Sequence, residues 1–242
     1  MGELRLGEHK LLTPAICGSV MAEKVNGMKA GVAKAIEQGA DLVELRVDGL
    51  RDQAGWEQLL PVKVPVILTN RLEREGGSFR GDENKRIEVL LQGIARGIPC
   101  IDIELSTPKP LRERVVSQAK KSGVAVIMSY HDFSITPSIE VMIDTAKRLA
   151  GSGCDIAKIV TFAEDTEDAL RMLDFLAQVQ DEVAVPIVAF AMGEAGKITR
   201  IVAPMLGSPI AYAAADKATA PGQLDVATMK RLLHKLIPKE KR

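Results

Sequence analysis

The chain has 242 residues, 46% hydrophobic and 26% charged, the proportions of an ordinary globular protein. Its 32 basic and 32 acidic residues cancel, which removes the field that nucleic acid or an anionic bilayer would need, and an aromatic content of 3% leaves few platforms for stacking bases. No signal-peptide pattern and no apolar run of bilayer-spanning length occurs, so neither nucleic acid nor membrane is an expected partner and the cytoplasm is the expected location. Cys17, Cys100 and Cys154 are odd in number, far apart and set among apolar residues, which predicts reduced core thiols rather than a disulfide framework.

The first dozen residues make two short alternating runs around Gly7, the pattern of a hairpin. Strand-like apolar runs then fall near 14–19, 41–47, 64–69, 99–104, 123–130, 155–161, 185–190 and 208–213, alternating with amphipathic helical stretches. Ile87, Leu90, Leu91 and Ile94 follow the spacing of one buried helical stripe, as do Ile139, Met142, Ile143 and Ala146, and again Met229, Leu232, Leu233 and Leu236. Pro137 behind Thr136 predicts a first-turn proline after an N-cap, and Gly151 a helix stop. No Pro/Gly/Ser-rich linker divides the chain. The expectation is an α/β fold, one (β/α)8 TIM barrel domain over residues 1–242, with the hairpin closing its bottom and Lys239 to Arg242 a solvated tail.

Strand parity selects the inward side chains. In the second run, Val43, Leu45 and Val47 must meet the helices, which turns Glu44, Arg46 and Asp48 toward the barrel axis or rim. Asp102 and Glu104 repeat the pattern against Ile101, Ile103 and Leu105. In the fifth run, Ile127, Ser129 and His131 share a face. The sixth, Cys154 to Phe162, otherwise reads as a buried strand yet holds Lys158, which shares a side with Ile156 and Val160. Burial there favours the uncharged, nucleophilic amine, whereas the bland reading pairs the lysine with a carboxylate. Glu104, His131 and Lys158 are spaced about one βα unit apart, roughly 30 residues, as are Glu44 and Arg71, so they become neighbours around the ring at the mouth where such barrels hold their chemistry.

An amine beside an imidazole suggests imine chemistry on a carbonyl substrate. The imine withdraws electrons, the neighbouring C–H becomes acidic enough for histidine, and a β-hydroxyl can leave as water. The flanking arginines would repel an ammonium at 158 and bind an anionic substrate. A ring of ion pairs that only ties the barrel together is the structural alternative. The histidines are scattered and no HxxxH or CxxC spacing occurs, so no metal is expected; His9 and His234 receive no role.

Glu44-Leu45-Arg46-Val47-Asp48, Thr69-Asn70-Arg71 followed by Glu75-Gly76-Gly77, Ser129-Tyr130-His131-Asp132-Phe133, Ala157-Lys158-Ile159, Gly196-Lys197-Ile198-Thr199-Arg200 and Ala218-Thr219-Ala220-Pro221-Gly222-Gln223 occur in this order. Together they closely resemble type I 3-dehydroquinate dehydratase of the shikimate pathway. The resemblance implies a homodimeric barrel without cofactor that converts 3-dehydroquinate to 3-dehydroshikimate. It implies that Lys158 forms the imine, that His131 moves the protons of a syn elimination, and that Glu75 orients His131. Glu44, Arg46 and Arg71 would grip the ring hydroxyls and imine region, Arg200 with Thr219 and Gln223 the carboxylate, while Ser19 and Met192 line the pocket and Ala218 to Gln223 forms a lid. From the residues alone Arg200 reads as a solvated helix residue and Gln223 as loop filler. Thr219 stands where a serine is common in the family, and Tyr130, on the face away from the pocket, replaces a smaller polar residue. The enzymatic alternative is a class I aldolase, with Gly193 to Lys197 as its phosphate loop. The non-enzymatic alternative is a barrel that only binds a small acid.

Overall fold

The computed structural model describes residues 2–216 and 219–237. A hairpin of β1 (Glu3–Leu6) and β2 (His9–Leu12) precedes eight parallel strands: β3 (Ala15–Val20), β4 (Leu42–Arg46), β5 (Val66–Thr69), β6 (Cys100–Glu104), β7 (Ala125–His131), β8 (Ile156–Phe162), β9 (Ile187–Met192) and β10 (Ile210–Ala214). Helices α1 (Val25–Glu37), α2 (Glu83–Ala95), α3 (Lys109–Lys121), α4 (Ile139–Gly151), α5 (Thr166–Val179) and α6 (Lys197–Val202) lie in crossovers, and α7 (Val226–Leu236) follows β10. The strand order β10-β3-β4-β5-β6-β7-β8-β9 makes a nearly closed (β/α)8 barrel with its seam between β9 and β10. Phe190 and Tyr212 span that seam, their ring centroids 6.0 Å apart.

Parity divides the apolar residues into two cores. Leu45, Leu68, Ile101, Ile103, Val126, Ala157 and Ile159 pack between strands and helices. Cys17, Leu42, Ile67, Cys100, Ile127, Ile156 and Val188 fill the barrel interior, joined by Leu4 and Leu6 of the hairpin. The hairpin therefore plugs the N-terminal end, as expected. Gly7 turns it at φ +57°, close against Pro99 and Gly123 at the feet of β6 and β7. The cysteines are buried and free.

The helices start where short acids can accept their unpaired N–H groups. Asp82 accepts from Asn84 N at 2.9 Å, Asp165 from Asp168 N at 3.0 Å and Asp225 from Thr228 N at 2.8 Å. Three local expectations need correction. Between β4 and β5 the crossover holds two 3-10 turns, Val47–Gly49 and Trp56–Leu59, and no α-helix, because Gly49, Gly55 (φ +81°), Pro61 and Pro65 interrupt any longer run. Thr136 is not an N-cap: its hydroxyl donates to Phe162 O at 2.8 Å, and α4 begins two residues later behind Ser138. Gly151 lies in the last turn of α4, and Gly153 (φ +80°) makes the stop. The tail from Lys239 lies outside the described residues. Among those described, no helix is long and apolar enough to cross a membrane.

Candidate active site

Ile156 and Val160 face the interior and Ala157 and Ile159 the helices, so Lys158 points into the barrel. The ladder sets Lys158 against Ser129 and Val160 against His131, placing the imidazole one inward step closer to the mouth than the amine. Nζ donates to Asp102 Oδ2 at 3.1 Å, stands 3.7 Å from Glu44 Oε1, and lies 4.2 Å from the centroid of the Tyr212 ring. The bland reading of the lysine holds to this extent: it is paired.

The pairing continues inward. Asp102 also accepts from Ser129 Oγ at 2.6 Å and from Arg71 Nη2 at 2.8 Å. Burial alone would raise its pKa; Arg71, then Lys158, overcome that and hold it well below the ordinary carboxylate range. Arg71 Nη1 reaches Glu104 Oε1 at 3.0 Å and Ser129 Oγ at 2.6 Å. Burial opposes its charge too, but Asp102 and Glu104 push the guanidinium pKa well up. Glu104 Oε2 then accepts from Arg86 Nη1 at 2.5 Å, and Arg86, 0% exposed on α2, also holds Thr107 Oγ1 at 2.7 Å and Glu83 Oε2 at 2.7 Å. The expected repulsion of Lys158 by Arg71 does not describe this arrangement, because Asp102 stands between them.

His131 Nδ1 lies 3.1 Å from Glu75 Oε2, which also accepts from the His131 backbone N–H at 3.2 Å, while Ser106 Oγ donates to Oε1. Burial, then the nearby Glu104 charge, raises the Glu75 carboxyl to about 7. Burial, then Arg71 and Lys158, lowers the imidazole well below its ordinary value, so it is neutral near pH 7. Once Glu75 is ionised it can only accept, which makes Nδ1 the donor and leaves Nε2 as the acceptor.

Glu44 accepts from Ser19 Oγ at 2.7 Å and Thr69 Oγ1 at 2.9 Å; Arg46 is held by Asp48 through bonds of 2.9 and 2.8 Å. Arg200 is 3% exposed, not solvated, and its guanidinium stacks 4.4 Å from the Phe190 centroid. Nη2 donates to Pro221 O at 3.0 Å, and among the described residues Nε has no partner and no carboxylate lies within ion-pair distance. Burial lowers its pKa to about 10, which still leaves a cation. The backbone N–H of Thr219 donates to Gln223 Oε1 at 2.8 Å, and its hydroxyl lies 3.1 Å from Ser19 Oγ. The expected lid begins at Ala218, outside the described residues. Tyr130 stays off the cavity and reaches Asp132.

These groups meet in one cavity at the C-terminal ends of the strands. Lys158, His131, Glu75, Ser19, Glu44, Arg46, Arg71, Met192, Arg200, Thr219 and Gln223 all line it. Tyr212 and Phe190 line it as well and were not anticipated, although Ile210, Tyr212 and Ala214 share one parity. Asp102 was legible as inward-facing but not as the partner of Lys158. Arg86 left no signal among the polar positions of its helix. In the loop suggested for phosphate, Glu194 already occupies Lys197 at 2.6 Å. Among the described residues no cluster of His, Cys, Asp and Glu is arranged to hold a metal.

The barrel and its mouth cavity define a (β/α)8 enzyme. The family model for type I 3-dehydroquinase matches residues 16–239, and the chain belongs to that family of hydro-lyases. The 3-dehydroquinate dehydratase of Methanothermobacter thermautotrophicus is 38% identical over 228 residues, 93% of this chain and 98% of the relative. Among solved structures, the 3-dehydroquinate dehydratase of Aquifex aeolicus superposes with a TM-score of 0.76 at 30% identity, covering 92% of this chain and 99% of that one. The type I enzyme of Clostridium difficile shares the fold at TM-score 0.89 and 23% identity, with 97% of each chain covered.

Two stability measurements follow from the charges. Removing one member of a buried ion pair leaves the other uncompensated, so Arg86→Leu should cost about 3–5 kcal/mol in urea unfolding. Glu75 favours its protonated form in the fold, a contribution complete below its ordinary value of 4.5 and lost as pH rises through about 7. Glu75→Gln should therefore be more stable relative to the unsubstituted protein at pH 8 than at pH 4, by about 2–3 kcal/mol.

Proposed function

We propose that the chain dehydrates 3-dehydroquinate to 3-dehydroshikimate in the shikimate pathway, by syn elimination through an imine on Lys158. The observation that carries this reading is a buried amine and a neutral imidazole, inward neighbours on adjacent strands, lining one cavity. Arg200, a buried cation with no carboxylate partner among the described residues, takes the substrate carboxylate, with Thr219 and Gln223 beside it. Glu44, Arg46 and Arg71 meet the ring hydroxyls and the imine region, and Ser19 and Met192 complete the walls.

Lys158 gives up a proton, and its lone pair adds to the C3 carbonyl. The former carbonyl oxygen takes up protons and leaves as water while the C=N bond forms. His131 Nε2 removes the C2 proton, whose electron pair flows into the imine and leaves an enamine. That pair then returns to expel the C1 hydroxyl, which departs as water with the proton His131 carried. Addition of water to the imine releases the conjugated enone and restores the amine. Ionised Glu75 holds Nδ1 as the donor, so that Nε2 can take up the C2 proton and later return it. The same reading takes the chain as one barrel unit, a cytoplasmic homodimer working without cofactor, on the strength of the family resemblance.

Borohydride added with 3-dehydroquinate should attach one ligand mass to the peptide carrying Lys158. Intact-mass analysis that finds no adduct, or finds it on another lysine, ends the proposal. His131→Ala should lower turnover by about 10²- to 10⁴-fold in an ultraviolet assay of the enone, while some imine remains trappable. A variant with near-normal turnover removes His131 from the proton transfers.

A further inference from the structure

We propose that Tyr212 is a further catalytic residue, whose ring face carries the positive charge that Lys158 Nζ bears as an ammonium and again as a protonated imine. The inference rests on the imine reading above. Tyr212 sits on β10 at the barrel seam, 5% exposed, with its ring centroid 4.2 Å from Nζ and 6.0 Å from the Phe190 centroid. Its hydroxyl makes no hydrogen bond to any described residue, so the side chain meets the lysine through its ring. Burial, then Glu44, pushes the phenol pKa well up; the ring therefore acts as a neutral quadrupole and not as a phenolate.

The chemistry at Nζ gives the ring a task that the carboxylates cannot perform alone. An ammonium has three N–H donors and can address Asp102 and Glu44 together. When the C=N bond forms, carbinolamine oxygen leaves as water and the nitrogen keeps one N–H but the full positive charge. The single N–H that remains can donate to only one of the two carboxylates. Attraction to an aromatic face follows the position of the charge and needs no particular N–H direction, so it persists from ammonium to iminium. It weakens wherever the nitrogen is neutral, in the free amine, the carbinolamine and the enamine. The ring accordingly favours dehydration of the carbinolamine and accumulation of the iminium. A residue that only filled the barrel floor would respond to volume and not to ring electronics.

The test separates these roles at constant shape. Tyr212→Phe serves as the reference, and phenylalanines carrying one, two and three ring fluorines are placed at 212 in the full-length enzyme. The turnover number and the fraction of enzyme trapped by borohydride at saturating 3-dehydroquinate should both fall stepwise with fluorine count. Tyr212→Leu, folded by circular dichroism, should turn over about 10- to 30-fold more slowly than Tyr212→Phe, as expected for a desolvated cation–π contact. Flat values across the fluorinated series, in an enzyme that is active and trappable, overturn the role of the ring and leave the imine reading intact. No trapped imine in the unsubstituted enzyme overturns the imine reading and the role of the ring with it. The fluorinated series decides the question even where the leucine variant fails to fold.

Discussion

An ammonium inside an apolar barrel can persist only if the residues around it replace the water it has lost. Stripping an ion of solvent costs several kcal/mol even after the protein relaxes, and one carboxylate brought in to pair it incurs a similar cost. The structure answers by extending the pairing through the wall of the barrel, from Lys158 to Asp102, Arg71, Glu104 and Arg86, until Glu83 reaches the outer part of α2. Each ion except the last is compensated on two sides, and Ser129 and Thr107 take remaining lone pairs and donors. The position of the lysine is thus set by a helix that does not touch the cavity.

The imidazole is treated in the opposite way. Burial, then Arg71 and Lys158, lower its pKa against the opposing pull of Asp102, and the carboxylate bonded to its ring, Glu75, is itself buried near Glu104. A neutral base therefore stands beside a carboxyl that ionises only near neutrality. A neutral polar residue at 75 would remove the cost of that ionisation, so keeping the acid sacrifices stability for control of the histidine tautomer.

Much of this was legible in the chain because a parallel barrel leaves a strong periodic trace. Glu44, Asp102, Ser129, His131 and Lys158 interrupt runs whose other residues are buried on both faces, and parity alone turns them inward. Register is a different matter. That Asp102 rather than Glu104 meets Lys158 depends on how β6, β7 and β8 are staggered, which pairs Asp102 with Ile127 and Lys158 with Ser129. No local pattern encodes that stagger. Arg86 and Arg200 sit on helices, where a polar residue reads as solvent-facing, and only packing against β5, β6 and β9 reveals them as interior. The missing helix between β4 and β5 could have been read from its prolines and glycines. Eight-fold alternation suggested a regularity that those residues prevent.

A lysine that must add to a carbonyl cannot be held so firmly that releasing it costs more than the reaction returns. The distribution of contacts resolves this. Nζ supplies one of three polar contacts to Asp102, and when it turns to substrate the carboxylate keeps Arg71 and Ser129. Glu44 likewise keeps Ser19 and Thr69. Asp102 is thereby not left as an uncompensated buried charge, the situation that makes the breaking of an ordinary buried pair expensive, and Glu44 keeps two hydrogen bonds on its oxygens. The arginines and hydroxyls that place the amine in the free protein are therefore the same groups that allow it to leave, so the buried chain of charges and the availability of the lysine have a single physical origin.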